Sequence, residues 1–131
     1  MASSNHMPTM ERSATEERQP VLLAVSNAMV RIYKETFGRG PTRARTNFAG
    51  PDVLLCTLRD TFTPAERNLV HMGEHQRLRD TRMFFQDASE AEFRGAVEEI
   101  TGRKTVAFIS GVDTRTDVSC ELFYLEPLDE E

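Results

Sequence analysis

The sequence predicts a two-layer α+β fold, a four-stranded antiparallel sheet with helices packed on one face, in the order α-β-β-α-α-β-β. Three observations predict it. An amphipathic helical repeat comes first, a pair of short strand-like runs follows, and a second such pair closes the chain after an intervening helical stretch. The 131 residues amount to one ordinary domain, long enough to bury a core without disulfides or metal staples.

Each element has its own signal. In PVLLAVSNAMVRIYKETFGRGP, Leu22, Val25, Met29, Ile32, Tyr33 and Phe37 recur at helical spacing. Pro20 suits a first turn, and Gly38, Gly40 and Pro41 form a stop, which sets a helix from Pro20 to Phe37. Thr42, Ala44, Thr46 and Phe48 then alternate with Arg43, Arg45 and Asn47, the pattern of a half-buried strand. Ala49-Gly50-Pro51-Asp52 is turn chemistry, and the apolar run Val53–Leu58 completes an antiparallel hairpin. Thr63-Pro64-Ala65-Glu66 opens a helix: Thr63 can cap, Pro64 lacks only an N–H without a helical partner there, and Glu66 can close a capping box. That helix continues through Leu69, Val70, Leu78 and Phe85, loosened at Gly73. Ser89 and Glu92 read as a second capping box, before a shorter helix with Phe93, Val97 and Ile100 that ends at Thr101-Gly102. Val106–Ile109 reads as a strand, Gly111–Asp117 as a polar loop and Val118–Leu125 as the last strand. Val118, Cys120, Leu122 and Tyr124 share one of its faces, with Cys120 directed at the core. The domain spans residues 20–127, between a flexible tail (1–19) and an acidic tail (128–131).

Composition excludes several classes. The chain is 39% hydrophobic and 28% charged, as in soluble globular proteins, and its net charge of −5 argues against binding nucleic acid through the phosphate backbone. Cys56 and Cys120 have no metal-like spacing and read as buried free thiols in a reducing cytoplasm. No apolar run reaches the roughly 20 residues that span a bilayer, and no signal-peptide core precedes the domain. The expected location is cytoplasmic, with any membrane link made through a partner.

Among candidate chemistries, His71-Met72-Gly73-Glu74-His75 spells H-x-x-E-H. On an unbroken helix His71 and His75 lie one turn apart and could share a zinc ion, with Glu74 as general base of a hydrolase. Catalytic zinc needs a third protein ligand, and the central glycine weakens the helix the motif requires. Two surface histidines on a solvated helix are the simpler reading, and no metal, cofactor or catalytic residue is expected. Arg31, Lys34, Arg39, Arg43 and Arg45 form a basic cluster across the first helix end, the glycine turn and the first strand. Guanidinium groups suit carboxylate, phosphate or bicarbonate, so Arg39, Arg43 and Arg45 form a candidate site for a small anion or an acidic partner. The Gly-Arg-Gly-Pro turn is no Walker loop, since the closing Gly-Lys-Ser/Thr is missing. Ser110, Ser119 and Cys120 sit in no nucleophile elbow. The loop with Asp113, Thr114 and Asp117 is the second candidate surface.

Four stretches, LLAVSNAMVRIYKETFGRGPTRART, TPAERNLV, TGRKTVAFIS and CELFYLEP, together resemble the MpsC-like domain family, named for a Na⁺-translocating, membrane-potential-generating system. The resemblance covers Val21 to Pro127. It implies a small cytosolic protein of bacterial or archaeal type, linked to membrane energetics or bicarbonate supply, and carries no assigned catalytic residues. The sequence departs from the family pattern at His71 and His75, and again at Gly111–Asp113. The resulting expectation is a non-enzymatic accessory or regulatory protein that contacts a membrane-protein complex. A second copy would cover the free face of its sheet as a homodimer. An anion or metabolite sensor is the first alternative and a metal-dependent hydrolase the second.

Overall fold

In the structure, a computed structural model that describes residues 9–128, the chain runs α1 (Thr9–Phe37), β1 (Arg43–Phe48), β2 (Val53–Arg59), α2 (Pro64–His71), α3 (His75–Ala88), α4 (Glu90–Thr101), β3 (Thr105–Asp113) and β4 (Val118–Leu125). The two-layer α+β architecture is as expected. The antiparallel sheet has the order β1-β2-β4-β3, so the two hairpins join through their inner strands. The outer ends of both expected tails, residues 1–8 and 129–131, lie outside the described residues.

Helix α1 differs from expectation at its start. It reaches back to Thr9 and carries Pro20 inside rather than in its first turn. A proline there removes one intrahelical bond, and Glu16, Glu17, Arg18 and Gln19 before it are good helix formers that keep the helix going. Its buried stripe is Val25, Ala28, Met29, Ile32 and Tyr33, spaced three and four apart. Gly38 ends the helix at φ 81, with its N–H on the Lys34 carbonyl at 2.9 Å.

The middle of the chain holds one helix more than expected. Gly73 takes a φ of 76 and splits the long helix into α2 and α3, because a left-handed residue cannot continue a right-handed helix. The Thr63–Glu66 capping box forms as the sequence indicates. The Ser89–Glu92 box does not: the Ser89 side chain makes no cap bond, since Ser89 closes α3 and opens α4 within one turn, and its hydroxyl lies 3.5 Å from that of Thr36.

Strand β3 continues to Asp113, through residues expected to form a loop. Pairing explains the extension: Gly111, Val112 and Asp113 face Cys120, Ser119 and Val118 in register, so the turn shrinks to residues 114–117. In β4 the parity is opposite to the expected one. Ser119, Glu121, Phe123 and Leu125 point into the core, whereas Val118, half-buried Cys120, Leu122 and Tyr124 line the uncovered face. Cys56 is buried, as expected. Phe93 of α4, Phe108 of β3 and Phe123 of β4 stack in sequence at centroid distances of 5.4 and 5.1 Å, and α1 closes the core over Leu54 and Leu58. Arg103, just past α4, ties the β1–β2 turn to the end of β4. It donates to the Pro51 carbonyl at 2.9 Å, to Asp52 at 2.6 Å and to the Glu126 carbonyl at 2.8 Å.

Candidate functional site

The three arginines singled out by sequence have different fates. Arg39 is engaged within the fold. Its guanidinium donates to the Phe62 carbonyl at 2.6 Å and to Asp60 at 2.9 Å, fastening the glycine turn to the chain after β2. Arg43 and Arg45 project from the uncovered face of β1, as strand alternation requires, and both are exposed. Arg43 stands opposite Arg59 in the β1–β2 register, so its neighbour is a residue that sequence reasoning did not select. Arg45, one row along, lines a separate shallow concavity with Gln19, Leu22 and Leu23 of α1. The structure therefore ties Arg39 to Asp60, brings Arg59 to Arg43 and places Arg45 on a different concavity.

The two histidines do not share a helix. His71 ends α2 and His75 begins α3, on either side of the Gly73 break. The His75 ring instead lies 2.6 Å (Nδ1) from the hydroxyl of buried Thr114, tying α3 to the β3–β4 turn. Among the described residues no group of three His, Cys, Asp or Glu is arranged to hold a metal ion.

The uncovered face of the sheet sorts by rows. Across β1, β2, β4 and β3 the first row reads Arg43, Arg59, Val118, Asp113 and the next Arg45, Thr57, Cys120, Gly111. The third row is Asn47, Leu55, Leu122, Ile109, and Val53, Tyr124 and Ala107 make the fourth. One half is thus basic and polar and the other apolar and uncharged, with Ile109 55% exposed.

The covered face hides a polar row that sequence reasoning missed. Thr46, Cys56, Glu121 and Ser110 lie side by side across the strands. Thr46 shares a 2.7 Å hydrogen bond with Ser26 of α1, and Glu121 accepts from the Tyr33 hydroxyl at 2.5 Å and from the Gln86 amide at 3.0 Å. Burial raises the Glu121 carboxyl to about 7, against the opposing pull of Tyr33, Ser110, Gln86 and the Arg82 charge. Burial lifts the Cys56 thiol to about 11, which keeps it protonated and unreactive. Beside this row, Arg82 of α3 is fully buried. It pairs with Glu66 at 2.6 Å, donates to the Thr61 carbonyl at 3.0 Å, and lies 3.8 Å above the Phe37 ring. At Glu66 burial works to raise the carboxyl, but Arg82 and the Thr63 cap outweigh it and hold it below its usual range. A signal for Glu121 existed: it shares parity with Phe123 and Leu125, so either Glu121 had to be buried or those two exposed against type.

Helix α3 presents the reverse of an amphipathic helix. Its buried positions are Leu78, Arg82 and Gln86, while Met83, Phe84 and Phe85 are exposed, Phe84 to 68%. The Phe85 ring meets Phe84 at 5.5 Å and Phe37 of α1 at 6.2 Å, so the exposed aromatics form one patch.

Among the described residues no helix is long and apolar enough to cross a membrane. No curated protein and no solved structure matches the chain. A family model does match, over residues 18–127, a span that holds every strand and all of α2, α3 and α4. The chain therefore belongs to the MpsC family, described as the Na⁺-translocating membrane potential-generating system (MpsC).

Proposed function

We infer that the protein is a non-catalytic accessory component of a membrane-potential-generating system, acting through protein contacts rather than through an ion path of its own. The observation that carries this reading is α3. A helix that buries Arg82 and Gln86 while exposing Met83, Phe84 and Phe85 leaves its apolar surface for another molecule. Exposed aromatic side chains are also the residue types that anchor protein interfaces. Family membership relates the chain to a membrane-potential-generating system, and the partner in this reading is a membrane-embedded, ion-translocating subunit of it.

A homodimer is the second part of the reading. The apolar half of the uncovered sheet face, with Leu55, Ile109, Leu122 and Tyr124, carries no charge in its rows. Uncharged apolar cores are characteristic of interfaces between identical subunits. The two surfaces lie on opposite layers, so both contacts can form at once.

The test is co-purification from native membranes with two variants. The wild type and Ile109→Glu should both retain the ion-translocating membrane subunits, and Phe84→Asp should lose them. Sedimentation should show a dimer for the wild type and Phe84→Asp, and a monomer for Ile109→Glu. Equal retention of the membrane subunits by Phe84→Asp removes α3 as the contact. A wild type that is monomeric at high concentration removes the dimer.

A further inference from the structure

Two departures from ordinary local rules lie side by side where β1, β2 and the β3–β4 turn meet. Arg43 and Arg59 stand directly opposite each other on the uncovered face, both exposed, and like charges in that relation repel. Next to them, Asp60 and Asp117 have φ angles of 61 and 55, the left-handed region that side chains rarely adopt. Such conformations persist where the surroundings hold them, and they gather at binding sites. Here the hold is explicit. The Asp60 N–H donates to the Asp117 carbonyl at 3.1 Å. The Asp117 carboxylate accepts from the Thr61 N–H at 2.9 Å, the Thr61 hydroxyl at 3.0 Å and the Phe62 N–H at 3.0 Å. Asp60 accepts from Arg39.

Asp60, Thr116 and Asp117 form a floor shared by two concavities of about 340 and 300 Å³. The first is also lined by Arg43 and Arg59, the second by Arg67, His71 and Arg115. The arginine ion pairs among the described residues use Arg31, Arg39, Arg77, Arg82, Arg94 and Arg103, and none of the four guanidiniums on this rim. The floor aspartates turn their hydrogen-bonding capacity inward, to Arg39 and to the chain after β2, rather than to the rim. A floor whose two carboxylates are taken up by Arg39 and by backbone N–H groups, with two guanidiniums at each end outside any ion pair among the described residues, describes a receptor for negative charge.

We propose that this groove binds a small ligand with two anionic groups of phosphate or carboxylate type, one held by Arg43 and Arg59 and the other by Arg67, His71 and Arg115. Guanidinium groups meet such anions two bonds at a time, which gives orientation as well as affinity. The split of the cations between two concavities on one floor favours a two-headed ligand over a single anion. The proposal stands apart from the accessory role and survives its failure.

Titration calorimetry on the full chain tests it, with orthophosphate, tripolyphosphate and citrate as probes. Tripolyphosphate or citrate should bind one to one, at least about tenfold more tightly than orthophosphate, and the better of the two tells a phosphate ligand from a carboxylate one. Arg59→Ala and Arg115→Ala should each weaken that binding by about tenfold or more. Arg45→Ala, exposed on the next row but outside the groove, should leave it unchanged. The substituted side chains are exposed, so unchanged circular dichroism confirms that each variant is folded. The proposal is overturned by no saturable binding, by orthophosphate binding as tightly as the longer anions, or by Arg45→Ala weakening binding as much as Arg59→Ala, which is the mark of diffuse charge. Binding that keeps strengthening with the length of a single-stranded oligonucleotide also overturns it, in favour of an extended polyanion surface.

Discussion

Helices α1 and α3 cover the same face of the sheet, α1 burying mainly apolar side chains and α3 mainly polar ones. The α1 stripe is mainly apolar, from Val25 to Tyr33, and sits in the main core, with polar bonds only from Ser26 and the Tyr33 hydroxyl. The α3 stripe is Leu78, Arg82 and Gln86, held by the Glu66 ion pair, the Thr61 carbonyl and the Glu121 carboxyl. A helix can thus be anchored by a few oriented polar bonds and keep its apolar side free. Apolar burial holds α1 through many weak, direction-free contacts. For α3 the same result depends on a handful of partners, each of which has to be present.

The largest effects should come from breaking one anchor on each helix. Ile32→Ala in α1 should lower unfolding stability by about 3 kcal/mol in urea titration, by loss of buried methyl groups and creation of a cavity. Arg82→Ala in α3 should cost a similar ~3 kcal/mol, for a different reason: it leaves Glu66 half-buried without its cation. The two mechanisms separate in the double variant Arg82→Met with Glu66→Gln, which should recover most of the loss because no charge is left unpaired. No combination restores Ile32→Ala short of refilling the cavity. A double variant as unstable as Arg82→Ala alone would mean that α3 is held by packing after all.

The next effect is set by pH. The Glu121 carboxyl titrates at about 7 in the folded chain, above its usual 4.5. Between these values the folded state keeps a proton that the unfolded state has released. Its contribution is therefore full below pH 4.5, falls as pH rises, and is gone above pH 7, a change of about 3 kcal/mol. Glu66 runs the other way, but its loss lies below its usual range and outside the window from pH 5 to 8. Glu121→Gln should flatten the stability profile across that window. A slope unchanged by the substitution would show that the carboxyl is not the titrating group.

The smallest effect on stability sharpens the comparison most. Phe84→Ser, at a largely exposed position, should shift stability by no more than about 0.5 kcal/mol while reducing partner retention. A loss of several kcal/mol would mean that the α3 aromatics belong to the core.

Much of the fold was legible because it rests on local chemistry. The Gly38 stop, the Thr63–Glu66 capping box, both hairpins and all four strands follow from signals within a few residues. The candidate site was less legible. The alternation of the first strand put Arg43 and Arg45 on one face, but Arg59, Arg67 and Arg115 come near Arg43 only through the strand register and the position of the β3–β4 turn. Arg39 looked like its neighbours in sequence and proved to be bound to Asp60 and Phe62.

Local signals along the chain set where helices and strands begin and end, apart from the Gly73 break, the extra turns at Thr9 and the extension of β3 to Asp113, and which residues could share a face. Long-range packing settled which face of β4 is buried, that Arg82 and Glu121 lie inside, and that two turns far apart in sequence bring Asp60 against Asp117. The physical reason is that capping and periodicity act over one turn of chain, whereas burying a charge is favourable only when a partner distant in sequence arrives to satisfy it.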